Sequence, residues 1–193
     1  PKGEISLGRE VIDPLNHNEL IFAGKLAALC ANARVFFVED GGYWRVAGDP
    51  TEAAMLVFAE KIGFKKFELE KEAPLIAEIP FDHKNKYHAT SHRVDHKELV
   101  VISGVPEKIL KLSNREYSLE NPPIGQTSKF LQITKERRDY LESIFIEFSR
   151  KGKRVVAFAF AELPLKPERE YMSAMIGLER VNEIIFGGFY GME

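Results

Sequence analysis

Cysteine is almost missing from this chain: Cys30 is the only one in 193 residues. A lone thiol excludes an internal disulfide framework, and its place in the apolar stretch Leu26 to Ala31 suits a buried thiol in a reducing compartment. Long hydrophobic runs are missing too. Nothing approaches the roughly 18 to 20 apolar residues that span a bilayer, and the first residues lack a charged-then-apolar signal pattern, so direct membrane insertion by this segment is not expected. Neither sign of charge dominates, since 27 Lys plus Arg stand against 29 Asp plus Glu for a net charge of −2. That balance gives no global attraction to DNA or to an anionic membrane, and no nucleic-acid partner is expected. Finally, there is no Gly-x-x-x-x-Gly-Lys-Ser/Thr loop, no Gly-x-Gly-x-x-Gly turn and no Gly-x-Ser-x-Gly elbow. A nucleotide bound here would have to be gripped largely through its base, and no catalytic residue is assigned.

What is present is a composition that is 45% hydrophobic, enough for one good core, and a single domain over residues 1–193 is expected. Pro1 to Pro14 reads as a leading strand or linker. Asn18 to Ala33 reads as a buried helix, and Arg34 to Glu39 with Tyr43 to Val46 as a hairpin turned by Asp40-Gly41-Gly42. The next helix has a well-marked start. Asp49 is a good N-cap, Pro50 suits the first helical position, Glu52 completes a capping box and Gly63 closes the helix. A charged connector, Lys65 to Glu72, precedes three strand-like runs at Leu75 to Phe81, Tyr87 to Val94 and Glu98 to Ser103, which form an antiparallel meander. Pro106 opens a short helix through Leu112, and a polar loop spans Ser113 to Gln132. Thr134 caps a long helix with Leu141, Ile144, Phe145 and Phe148 on one face, and Gly152 ends it. Arg154 to Leu163 is a strand, Pro164 to Glu170 a loop, and Glu183 to Tyr190 a last strand. The expected fold class is α+β, a largely antiparallel twisted sheet flanked by helices.

His88, His92 and His96 recur every fourth residue, with His83 nearby. On a strand, four residues cover about 13 Å, too far for shared coordination of one ion. They read as solvated strand histidines, and no metal site is expected.

Three strings carry more. Gly48-Asp49-Pro50-Thr51-Glu52-Ala53-Ala54 resembles a string of cation-transporting P-type ATPases. Phe81-Asp82 followed by Lys86 resembles their adenine-stacking segment, and Ser103-Gly104-Val105-Pro106-Glu107 their Lys-Gly-Ala-Pro-Glu string, in the same order and at similar separations. Gly152 to Ala159 and the closing Phe189-Tyr190-Gly191-Met192-Glu193 match further segments, so the resemblance covers nearly the whole chain. It implies the nucleotide-binding (N) domain of a type II, calcium-pump-like ATPase: a cytoplasmic domain of an integral membrane protein, and a fragment of a larger pump.

The resemblance also implies the partners and the roles. ATP, carrying its own Mg2+, would be presented to an aspartate in a separate phosphorylation domain, with the actuator domain as a further partner. That aspartate's Asp-Lys-Thr-Gly-Thr string is absent from this chain, so the chain alone is not expected to be catalytic. Phe81 matches the ring on which adenine stacks, worth roughly 1 to 3 kcal/mol by analogy with base–aromatic contacts; its other reading is ordinary core. Glu52 matches the acceptor for the adenine amino group, beside its use in a capping box, and Thr51 neighbours it. Lys86 and Arg154 match cations along the phosphates, Lys86 being otherwise a solvated surface charge. Gly104 would let the backbone approach the ring, a β-carbon there filling the pocket, and Val156 would form the opposite wall. Ser103 stands where the family has a pocket lysine, and His88 where it often has methionine. A regulatory module with the same fold and no nucleotide binding is the alternative that Ser103 motivates.

Overall fold

The computed structural model describes residues 3–117, 130–165, 178 and 181–193. They fall into two compact units, one through Pro74 and one from Leu75 to Glu193.

In the first unit, β1 (Ile5–Leu7) and β2 (Glu10–Ile12) pair as a small hairpin where a leading strand or linker is expected. Gly8 turns it at φ 64°, a left-handed conformation natural to glycine. Helix α1 (Asn18–Cys30) buries Leu26 to Cys30, the thiol included. Strands β3 (Arg34–Val38) and β4 (Tyr43–Ala47) form a second hairpin that leaves Phe36, Phe37, Tyr43 and Trp44 half in water. Phe37 and Trp44 pack edge-to-face there, ring centroids 5.3 Å apart.

Helix α2 (Pro50–Ile62) starts where its sequence dictates: one Asp49 carboxylate oxygen, Oδ1, accepts the Thr51 N–H at 2.7 Å and the Glu52 N–H at 3.2 Å. Gly63 ends it at φ 103°. Its inner face is Ala53, Met55, Leu56, Ala59 and Ile62. Gly24 of α1 lies so near its end that a β-carbon would stand 3.2 Å from Ile62, so a small residue sets how closely the helices approach. The expected connector at Lys65 to Glu72 is instead helix α3 (Lys66–Glu72). Its charges are strong helix formers, Lys66 and Glu70 pair at 2.8 Å one turn apart, and Leu69 anchors it by burial.

The second unit is built on a seven-stranded sheet in the order β5-β6-β7-β10-β11-β8-β9. The strands are β5 (Leu75–Ile79), β6 (Tyr87–Val94), β7 (Lys97–Gly104), β8 (Arg115–Tyr117), β9 (Phe130–Gln132), β10 (Arg154–Pro164) and β11 (Ile185–Met192). All neighbours run antiparallel except β8 and β11. Strands β8 and β9 lie within the span expected to be a loop. Asn114 brings β8 in: its backbone N–H donates to the Ile184 carbonyl at 3.0 Å, and its Oδ1 accepts the Ile184 N–H at 3.1 Å. Most of that expected loop, and of the one from Pro164 to Glu170, lies outside the described residues.

One face of this sheet carries the core. Tyr87, Ala89, Val100, Ile102, Ala157, Ala159 and Ala161 pack with Ile109 and Leu110 of α4 (Pro106–Leu112) and with Leu141 and Phe145 of α5 (Lys135–Arg150). The alternating alanines of β10 are fully buried and let helices lie close on the strand. Thr134 caps α5, its hydroxyl accepting the Arg137 N–H at 3.2 Å. The architecture is therefore α+β, with a mainly antiparallel sheet. Among the described residues no helix is long and apolar enough to cross a membrane.

Candidate functional site

Phe81, Lys86, Ser103, Gly104, Arg154 and Val156 all belong to the second unit, and they gather at one end of its sheet. The loop from Pro80 to Lys86 leads into β6. Within it Asp82 works as an internal cap: Oδ1 accepts the Lys84 N–H at 2.9 Å, Oδ2 the Asn85 N–H at 3.3 Å, and its carbonyl the Lys86 N–H at 2.6 Å. The turn brings Lys86 to φ 60°, an uncommon conformation for a residue with a side chain. Phe81 stands 50% exposed and edge-to-face with His83, ring centroids 5.7 Å apart. It is not core, so an aromatic surface is open to a ligand.

Gly104 ends β7 directly beside this loop. Val105 donates its N–H to the Lys86 carbonyl at 3.1 Å, and a β-carbon on Gly104 would stand 2.5 Å from that same oxygen and 2.8 Å from Tyr87 Cα. The glycine is thus required by backbone before any ligand is considered.

Register places the rest. His88 pairs with Ser103 and Ser103 with Phe158, while Val156 pairs with Tyr190 and Arg154 with Met192. Partners across a sheet share a face, and alternate residues along a strand do too. Ser103, Val156 and Arg154 therefore lie on one face, opposite the core just described, with Phe158 beside Ser103 and Tyr190 beside Val156 on the far strand. Ser103 is buried, Val156 half-buried, and Arg154 exposed like Lys86. Phe158 and Tyr190 meet at 4.5 Å, nearly perpendicular, and burial pushes the Tyr190 hydroxyl far above the ordinary tyrosine range. The resulting patch has an aromatic and aliphatic floor with cations at its exposed margin.

Two of the three regularly spaced histidines differ from expectation, while His96 is exposed. His88 is 3% exposed and His92 fully buried, so they are not solvated; β6 is an interior strand, flanked by β5 and β7. His88 Nε2 lies 3.0 Å from Glu78 Oε1, which satisfies a ring nitrogen that would otherwise be costly to bury. Among the described residues no group of three or more His, Cys, Asp or Glu is placed to hold a metal ion.

Thr51 and Glu52 occupy the first turn of α2 in the other unit. Glu52 Oε2 accepts the Asn32 N–H at 2.9 Å, tying α2 to the segment before β3. Thr51 Oγ1 is buried and has no hydrogen-bond partner among the described residues. Asp82, Glu78 and Tyr190 are the residues that sequence reasoning missed as shapers of this region. Only Asp82 left a local signal, an Asp three residues before Asn85, both residue types that favour turns.

The family model for the P-type ATPase cytoplasmic domain N matches residues 19–193. The chain belongs to this family. A probable cation-transporting ATPase F of Mycobacterium tuberculosis is 40% identical over 103 residues, 53% of this chain and 11% of that protein. A calcium-transporting ATPase of Bacillus subtilis is 28% identical over 187 residues, 94% of this chain and 20% of that protein. The sodium/potassium-transporting ATPase subunit alpha-1 of Oreochromis mossambicus is 32% identical over 148 residues, covering 72% and 14%. This N domain thus spans a fifth or less of the length of these relatives.

Proposed function

We propose that this N domain binds ATP for a cation-transporting P-type ATPase of the calcium-pump-like branch. The observation that carries the reading is the loop at the sheet end: a half-exposed Phe81 and an exposed Lys86, held beside the face that bears Ser103, Val156 and Arg154. Adenine stacks on Phe81 against the apolar floor, and Lys86 and Arg154 follow the phosphates. Gly104 keeps the backbone close. Thr51 and Glu52, the latter as acceptor for the adenine amino group, enter on the resemblance of their string. The family model runs through both compact units from residue 19 to residue 193, which supports treating them as parts of one domain.

The chemistry asked of this chain is positioning. ATP arrives with Mg2+ on its phosphates, and the γ-phosphate is presented to an aspartate of a separate phosphorylation domain, so the contribution here is proximity. The actuator domain is a further partner, and the site faces the cytoplasm of a membrane pump. The calcium assignment takes its support from the Bacillus subtilis relative, which matches 94% of the chain.

One aromatic stack and solvent-exposed cations leave little after association entropy, so affinity is expected on the order of −4 to −6 kcal/mol, high micromolar to millimolar. NMR titration with Mg-ATP is expected to shift Phe81, Ser103 and Gly104 together, and Phe81→Ala to abolish those shifts while changing stability by only about 0.5 kcal/mol. Wild-type protein unmoved by millimolar ATP would sink the reading. It would favour a regulatory module without nucleotide binding, for which the buried Ser103, a neutral side chain in place of the family's cation, is the motive.

A further inference from the structure

We infer that Asp82 is a positioning residue for the nucleotide, acting through the backbone of its own loop and not by touching the ligand. The inference rests on the ATP reading above. Both carboxylate oxygens of Asp82 accept backbone N–H groups, from Lys84 and Asn85, and its carbonyl accepts a third from Lys86. Those bonds close the turn that places Lys86 at φ 60° and leaves Phe81 on its outer side. From the far side the turn is fixed by the Val105 N–H on the Lys86 carbonyl, and by Gly104, which leaves that carbonyl room. The loop is therefore organised from within by one side chain and from without by Gly104 at the end of β7 and Val105 just after it.

Simple electrostatics and this role predict opposite signs. Asp82 carries a negative charge four residues from a lysine assigned to phosphates, so deleting that charge should by attraction alone tighten ATP. If Asp82 instead holds the competent loop, Asp82→Ala lets the loop sample other conformations, and apparent affinity falls by the fraction of competent loop that is lost. The expected loss is about fivefold or more, the value of one net hydrogen bond.

The test is Mg-ATP titration of the full chain by NMR, with the Lys86 amide-to-Hα coupling read without nucleotide as a report on its backbone angle. Asp82→Ala should bind about fivefold more weakly, with a changed Lys86 coupling. Asp82→Asn, which loses the charge and keeps an acceptor, should bind at least about as well as wild type, and Asp82→Ser should fall between. Asp82→Ala that binds as tightly as wild type or tighter, or that weakens with the Lys86 coupling unchanged, overturns the inference alone. Wild-type protein that does not respond to ATP overturns the site and this role with it.

Discussion

At the scale of single residues, the proposed phosphate role of Lys86 is set against stability. A side chain at φ 60° costs roughly 1 to 2 kcal/mol relative to an ordinary backbone conformation, and glycine would not incur that cost. Glycine gives back part of the gain through the greater freedom of the unfolded chain. Lys86→Gly is therefore expected to raise stability by about 0.5 to 1 kcal/mol in urea unfolding while weakening ATP binding, opposite signs from one substitution. A variant that keeps wild-type affinity would remove Lys86 from the phosphates. Gly104 is the counterpart: its missing β-carbon leaves room for the Lys86 carbonyl, so its freedom is spatial and not conformational.

At the scale of elements, the clearest case is α2. Its N-terminus depends on one carboxylate oxygen that accepts two N–H groups, so Asp49→Ala is expected to cost about 1 to 2 kcal/mol in thermal or urea unfolding, and Asp49→Asn far less. Substitution at Asp49 without loss of stability would mean that the end of the helix is held by other contacts. Elements governed by such local chemistry were legible: the starts of α2 and α5 at Asp49 and Thr134, the turn between β3 and β4, and α4 opening at Pro106. Strands β8 and β9 were not, because three-residue strands are defined by their partners, and β8 is held to β11 through Asn114, far away in sequence. Helix α3 was misread because its charges resemble a connector, while its one anchor, Leu69, says little alone. The site followed the same division. Its strands and the string around Phe81 could be read from sequence. The burial of His88 and His92 could not, since it depends on β6 having neighbours on both sides, and neither could the Glu78 partner ten residues away.

At the scale of the whole molecule, Tyr190 ties the candidate face to the pH dependence of folding. Burial keeps its hydroxyl protonated to higher pH in the folded protein than in the unfolded chain, where tyrosine titrates near about 10. The folded pKa is raised, so the preference for the folded state is fully present below pH of about 10 and is lost as pH rises through and beyond that value. Tyr190→Phe keeps the ring against Phe158 and cannot ionise. Urea midpoints taken from pH 8 to 11 are expected to run parallel for the two proteins at first, with wild type then falling relative to the variant at the alkaline end. Parallel midpoints throughout would show that the hydroxyl is exposed.

The hairpin of β3 and β4 has a practical consequence. Trp44 is the only tryptophan of the chain and lies half in water on that hairpin, within the first unit. Fluorescence excited selectively at indole wavelengths therefore reports from the first unit, with an emission already shifted toward the red. The sheet that bears Tyr190 carries no tryptophan, and its own signal comes from amide or tyrosine spectroscopy.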